Sequence, residues 1–160
     1  MILRCHSDAS YLSVPKGRSR AGGYFYLSSA PISLVTDTKP TTEPKPTALT
    51  EPVPPLNNTV YVLCTIIRNV MVSTTEAEIT AVFCSCQEVL PLRQALIFMG
   101  HPQPPIPVQV DNEYAVRILM ESVKQRKSKA TDMRFYWVRD RIKQGYAYIY
   151  WRRVSWYLFS

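Results

Sequence analysis

Histidine is scarce in this chain, with only His6 and His101, and none of the four cysteines, Cys5, Cys64, Cys84 and Cys86, stands in a CxxC pair. A structural zinc site draws four N or S ligands from short spacings, so this composition argues against one. Cys84 and Cys86 are two apart in a predicted helix and point in different directions, which argues against a disulfide between them; a reducing compartment is the default. No apolar run approaches the roughly 18 residues of a membrane span. The start, Met1-Ile2-Leu3-Arg4-Cys5-His6, places no basic region ahead of an apolar one, so no signal peptide is expected. The expected location is intracellular, cytoplasmic or nuclear, without a membrane partner. Glycine is sparse too, five residues against thirteen prolines, a skew that demands a proline-rich insertion. Acidic residues end early, since none follows Asp140.

What is present suits one domain: 160 residues of which 46% are apolar. The net charge of +7 and a pI near 9.4 favour a polyanionic partner, nucleic acid before membrane. From residue 124 to 153 there are ten basic residues and two acidic ones. Lys124, Arg126, Lys127 and Lys129, together with Lys16 and Arg18 near the start, are candidate phosphate contacts, set against the alternative of a solvated basic face.

Residues 2 to 8 read as a first strand with Arg4, His6 and Asp8 on one face and Leu3, Cys5 and Ser7 on the other, closed by Asp8. The aromatic run 24 to 27 after Gly22-Gly23 suits a second strand. Residues 30 to 58 hold the proline-rich stretch, read as a solvated surface insertion, with a proline-binding partner as the weaker alternative. Residues 60 to 67 read as a third, largely buried strand. Ser73-Thr74-Thr75-Glu76 is a capping box that opens the longest helix, with a buried stripe of Ile79, Val82, Phe83, Cys86, Val89 and Leu90. Pro91 is expected to break or kink it, a second piece reaching Met99 before Gly100. Residues 106 to 110 form a short strand ending in Asp111-Asn112, where Asp111 is either a helix N-cap or a site residue. A helix through Ala115 to Val123 follows, then one over 131 to 144, apolar on two sides and so expected to be packed. The last strand covers 146 to 151, its Tyr146, Tyr148 and Tyr150 alternating onto one side for sheet packing or base stacking.

Three acids thus arrive from separate elements: Asp8 after the first strand, Glu78 in the long helix, and Asp111 after the fourth strand. Such acids can converge at the carboxyl ends of adjacent strands. Like charges in close contact stay ionised only around a cation, and hard oxygen donors suit Mg²⁺ or Mn²⁺, which can drive phosphodiester cleavage.

The ordered series His6-Ser7-Asp8-Ala9-Ser10, Lys16-Gly17-Arg18-Ser19, Gly22-Gly23-Tyr24, Ser73-Thr74-Thr75-Glu76-Ala77-Glu78, Val110-Asp111-Asn112 and Asp132-Met133-Arg134-Phe135-Tyr136 resembles the ribonuclease H domain of copia-type retrotransposon polyproteins. The resemblance covers about residues 2 to 153, with 154 to 160 as a tail outside it. It implies an α/β fold, ribonuclease H-like, with a five-stranded mixed sheet flanked by helices but lacking the family's last helix. It also implies two-ion hydrolysis of the RNA strand of RNA–DNA hybrids and, as a partner, the reverse transcriptase domain of the parent polyprotein. Asp8, Glu78 and Asp111 match its metal-binding catalytic acids. Glu78 is chosen over Glu76 because the family glutamate precedes two residues and an alanine, as in Glu78-Ile79-Thr80-Ala81. The family's fourth acid, beyond the last strand, has no counterpart here, so one ion is expected to stay bound while turnover falls by orders of magnitude. The alternative reading is a catalytically inactive nucleic-acid-binding remnant.

Overall fold

The computed structural model describes residues 1–28, 59–120 and 129–152, with side chains in the third stretch described from Met133. The expected insertion at 30–58, the tail at 154–160 and the basic residues Lys124, Arg126 and Lys127 lie outside those residues. Among them, no helix is long and apolar enough to cross a membrane.

The elements run β1 (Ile2–Val14), β2 (Arg18–Ser28), β3 (Thr59–Ile66), α1 (Thr74–Phe98), β4 (Ile106–Val110), α2 (Glu113–Met120), α3 (Lys129–Lys143) and β5 (Ala147–Trp151). They form one mixed five-stranded sheet in the order β3-β2-β1-β4-β5. The β1–β2 and β2–β3 pairs are antiparallel, whereas β1–β4 and β4–β5 are parallel. Parallel neighbours need a crossover: β2, β3 and α1 lie in the chain between β1 and β4, and α2 and α3 between β4 and β5.

β1 and β2 outrun their predicted spans because hairpin pairing continues beyond Asp8 and Gly22 to Ser10–Arg20 and, past an irregularity, Val14–Arg18. The residues between, Ala9 to Ser13, lack apolar alternation, so no pattern marked them as strand. β3 is at the sheet edge and its outward side chains are exposed, Val62 by 59%, so the expectation of a largely buried strand fails. Apolar content reported strand type there, not burial, because β3 has a neighbour on one side only.

α1 begins at Ser73, whose Oγ accepts from the Glu76 N–H at 3.2 Å. The Glu76 carboxylate reaches back to accept from the N–H of Val72 at 2.8 Å, one residue ahead of the N-cap. Pro91 lies inside the helix and does not end it. Proline costs about 3 kcal/mol in a helix interior, and burial of Val89 with partial burial of Leu90, Leu92 and Leu96 against the core offsets that cost. The helix ends at Gly100, φ +86°, where the N–H of Gly100 donates to the Ile97 carbonyl and that of His101 to Leu96, a Schellman pair.

Leu3, Cys5, Phe25, Val108 and Ile149 project from the sheet into the core that Ile79, Val82, Cys86 and Val89 of α1 close. The helix comes close to the sheet: Ser85 Oγ donates to Ser7 Oγ at 3.1 Å, and a Cβ on Gly23 would stand 3.0 Å from that same Ser85 oxygen. α3 adds Phe135 and Val138 to the core, with Phe83 and Trp137 edge to face at 5.2 Å. Its second expected packing side is only partly used: Trp137 is half-buried, whereas Met133 and Tyr136 are exposed.

Candidate metal-binding active site

The pairing of β1 with β4 runs Cys5–Val108, His6–Gln109 and Ser7–Val110, and there β4 stops. β1 continues, so Asp8 is the first residue beyond the paired stretch and Asp111 the first beyond β4. Glu78, in the second turn of α1, reaches the same corner. One oxygen from each of Asp8, Glu78 and Asp111 lies within 4.8 Å of the others. All three predicted acids are therefore brought together, and among the described residues they form the one such group of His, Cys, Asp or Glu.

Asn112 decides the role of its neighbour. Its Oδ1 accepts from the Ala115 N–H at 3.0 Å and its carbonyl from Val116 at 3.2 Å, so Asn112 is the N-cap of α2 and Asp111 is released from that duty. Trp151 Nε1 donates to the Asp111 carbonyl at 2.9 Å, and the N–H of Arg152 to Val110, so the end of β5 fixes the backbone that carries the carboxylate. Asp8 Oδ1 accepts from the N–H of Ala9 at 2.9 Å.

Asp8 and Asp111 are exposed, whereas Glu78 is only 7% exposed and its Oε2 is buried without a hydrogen-bond partner. Burial, then the charges of Asp111 and Asp8, push its pKa from 4.5 up to about 8, against a lowering contact from the Ala9 backbone. Asp111 is raised as well, by burial and by Asp8. His6, two residues before Asp8 on the same side of β1, is lowered by burial against the pull of both aspartates, and its Nε2 is buried without a partner. Three carboxylates converging in partial burial, one with an orphaned oxygen, are a donor set that a hard divalent cation fits.

No family model matches the chain, and no curated protein matches it. Among solved structures, ribonuclease H1 LC11, isolated from compost by metagenomics, is 13% identical, with a TM-score of 0.56 over 98% of this chain and 86% of that one. The same protein in complex with an RNA/DNA hybrid gives 13%, 0.57, 97% and 86%. The N-terminal ribonuclease H domain of Rv2228c from Mycobacterium tuberculosis, solved as a fusion with maltose-binding protein, gives 10%, 0.57, 97% and 88%. The fold is that of ribonuclease H. Within this ribonuclease H-like domain, the acid corner occupies the carboxyl end of a parallel strand pair beside the longest helix.

The predicted phosphate contacts are placed less favourably. Lys16, φ +68°, sits in the turn of the β1–β2 hairpin and Arg18 opens β2, six or more positions along β1 from Asp8. Lys129 opens α3. Further along that helix, arginines lie across aromatic rings: Arg141 over Trp137 at 5.1 Å, Arg139 over Phe135 at 5.3 Å and Arg134 over Phe83 at 5.9 Å. Tyr148 and Tyr150 stack at 6.1 Å, with the Tyr150 hydroxyl 3.4 Å from Gln109 Oε1, which favours sheet packing over base stacking. The sequence reading missed the cleft of about 560 Å³ beside the acids, walled by Glu113, Tyr114, Arg117 and Trp151. The one signal was helical: Glu113 and Arg117 are four apart and share a face of α2.

Proposed function

We propose that this chain is a metal-dependent ribonuclease H-type hydrolase that cuts the RNA strand of RNA–DNA hybrids, with Asp8, Glu78 and Asp111 as the metal-binding catalytic acids. The observation that carries the reading is the convergence of those three carboxylates from β1, α1 and the end of β4 within 4.8 Å. When bound, Mg²⁺ or Mn²⁺ supplies Lewis acidity toward a phosphoryl oxygen and stabilises the charge on the leaving oxygen. The chain's own part is to hold that charge in place. Asp8 and Asp111 offer exposed carboxylates on a rigid strand pair, and Glu78 closes the inner side. Without a cation Glu78 keeps its proton up to about pH 8, so cation binding at neutral pH releases a proton from its carboxyl.

The proposed unit spans residues 1–153, with 30–58 as an insertion and 154–160 as a tail. The ordered motifs support its origin as the ribonuclease H part of a copia-type retrotransposon polyprotein, with a reverse transcriptase domain as partner. The family expectation is two ions. With three carboxylates in the described group, one ion is held firmly and turnover is low. That same count favours the second reading, a nucleic-acid-binding remnant without catalysis.

The test is cleavage of a labelled RNA–DNA hybrid with Mg²⁺ or Mn²⁺, beside Asp8→Asn and beside RNA and DNA duplexes. The hydrolase reading expects hybrid-selective cleavage that is lost in Asp8→Asn. Binding of hybrid without cleavage under either ion moves the assignment to the remnant.

A further inference from the structure

We propose that Arg117 is a positioning residue of this site, holding the phosphate next to the scissile one in a bound nucleic-acid strand. The inference rests on the nuclease reading and adds to it a residue that the basic stretches did not point to. Three of the side chains lining the cleft are carboxylates, Glu78, Asp111 and Glu113, and Arg117 is the one cation among the lining residues. A cleft of that balance repels a phosphodiester. A divalent ion at the acid corner corrects the balance at one end, leaving Glu113 to be countered at the other.

Arg117 is placed to do so. It is exposed in the last turn of α2, four residues after Glu113, and therefore about 6 Å farther along the helix axis. Asp111 adjoins the N-cap Asn112, and Arg117 lies five residues beyond that cap, about 7.5 Å along the axis of α2, so a phosphate held by Arg117 is a different one from the phosphate at the acid corner. The guanidinium suits that task because its planar fork can give two parallel N–H donors to one phosphate. The cleft is of a size that takes a nucleotide-scale group, within the range of about 300 to 1,000 Å³ for ligand sites. Its floor is held by hydrogen bonds: Trp151 is tied to the Asp111 carbonyl and α2 is capped by Asn112, which fixes the backbone of Asp111 against the start of α2.

The experiment is fluorescence anisotropy of a labelled RNA–DNA hybrid with Ca²⁺ as the oxygen-seeking cation, repeated across a salt series, for the unsubstituted protein, Arg117→Ala, Arg117→Gln and Arg117→Lys. Arg117→Ala and Arg117→Gln are expected to weaken binding about tenfold and to flatten the slope of log affinity against log salt by about 0.9, one phosphate contact. Arg117→Lys should restore the slope but only part of the affinity. In turnover with Mg²⁺ or Mn²⁺, KM should rise about tenfold while kcat falls less than about threefold, the signature of lost binding energy shared by ground and transition states. Affinity within about twofold of the unsubstituted protein and an unchanged salt slope in both Arg117→Ala and Arg117→Gln would overturn the proposal, as would absence of hybrid binding altogether. Cleavage that persists in Asp8→Asn would sink the nuclease reading instead, while weakened binding in the Arg117 variants would still stand.

Discussion

At the corner where β4 ends, three carboxylates are drawn together, one of them buried with an oxygen left unpartnered. Along α3, by contrast, arginines are spread over rings, Arg141 over Trp137 and Tyr146, Arg139 over Phe135. The first arrangement stores electrostatic conflict that a proton on Glu78 or a bound cation relieves; the second disperses charge onto aromatic faces and gains from it. Arg141 Nε is also buried without a hydrogen-bond partner, so the two places are told apart by like charges crowded together at one and by charge dispersed onto rings at the other. Among the described residues, α3 is the part of the basic segment that can be set against the acid corner, and it shows no comparable crowding of like charges.

The comparison breaks most visibly at the acids. Asp8→Asn and Asp111→Asn are each expected to cut hybrid cleavage by about 10³-fold or more, the scale on which preorganised charge stabilisation is lost, with melting temperature held or raised. A fall in activity that merely tracks unfolding on thermal melting would contradict that assignment.

Next in size is a pH effect on the cation-free protein. Glu78 has a folded pKa raised from 4.5 to about 8, so the folded state holds its proton more tightly than the unfolded one. No penalty exists below about pH 4.5; it grows as pH rises toward 8 and stays constant above. Glu78→Gln should remove that decline and make the cation-free protein more stable at pH 7.5 by on the order of 4 kcal/mol. Denaturant titrations at pH 5 and 7.5 with a chelator present check it, and equal pH slopes in the two proteins would refute it. With Mn²⁺ at about 100 times its Kd, stabilisation of the native protein should be about 2.7 kcal/mol and should be lost in Glu78→Gln.

Smaller effects belong to α3. Arg141→Ala should cost about 1 kcal/mol through lost contact with Trp137 and Tyr146, while changing the salt slope of hybrid binding by less than about 0.3 against the 0.9 of one phosphate contact. A larger change in slope would return α3 to the nucleic-acid interface. Tyr136→Ser and Met133→Ser, both on exposed positions, should stay within about 0.5 kcal/mol of the parent in chemical denaturation.

Much of the fold was legible because local chemistry and tertiary context agree. Ser73 and Glu76 announced the start of α1, Gly100 its end, and the acids at 8, 78 and 111 stood at places where strands and helix can converge. The failures share one cause: neighbours in space that the chain does not display. Pro91 is tolerated because Leu92 and Leu96 beyond it find the core. β3 is exposed because it is an edge, a property of strand order and not of Val60 to Ile66. Asp111 could have been a cap until Asn112 took that role. Trp151 gave no sign that its indole N–H would hold the Asp111 backbone 40 positions away.

The most direct test of the central claim is calorimetric titration of Mn²⁺ into the protein at pH 7.5, beside Asp8→Asn and Glu78→Gln. The account predicts one well-defined binding event, accompanied by proton release that disappears in Glu78→Gln, and binding weakened about a hundredfold in Asp8→Asn. Equal affinity in all three proteins, or no binding to the native chain, would contradict it.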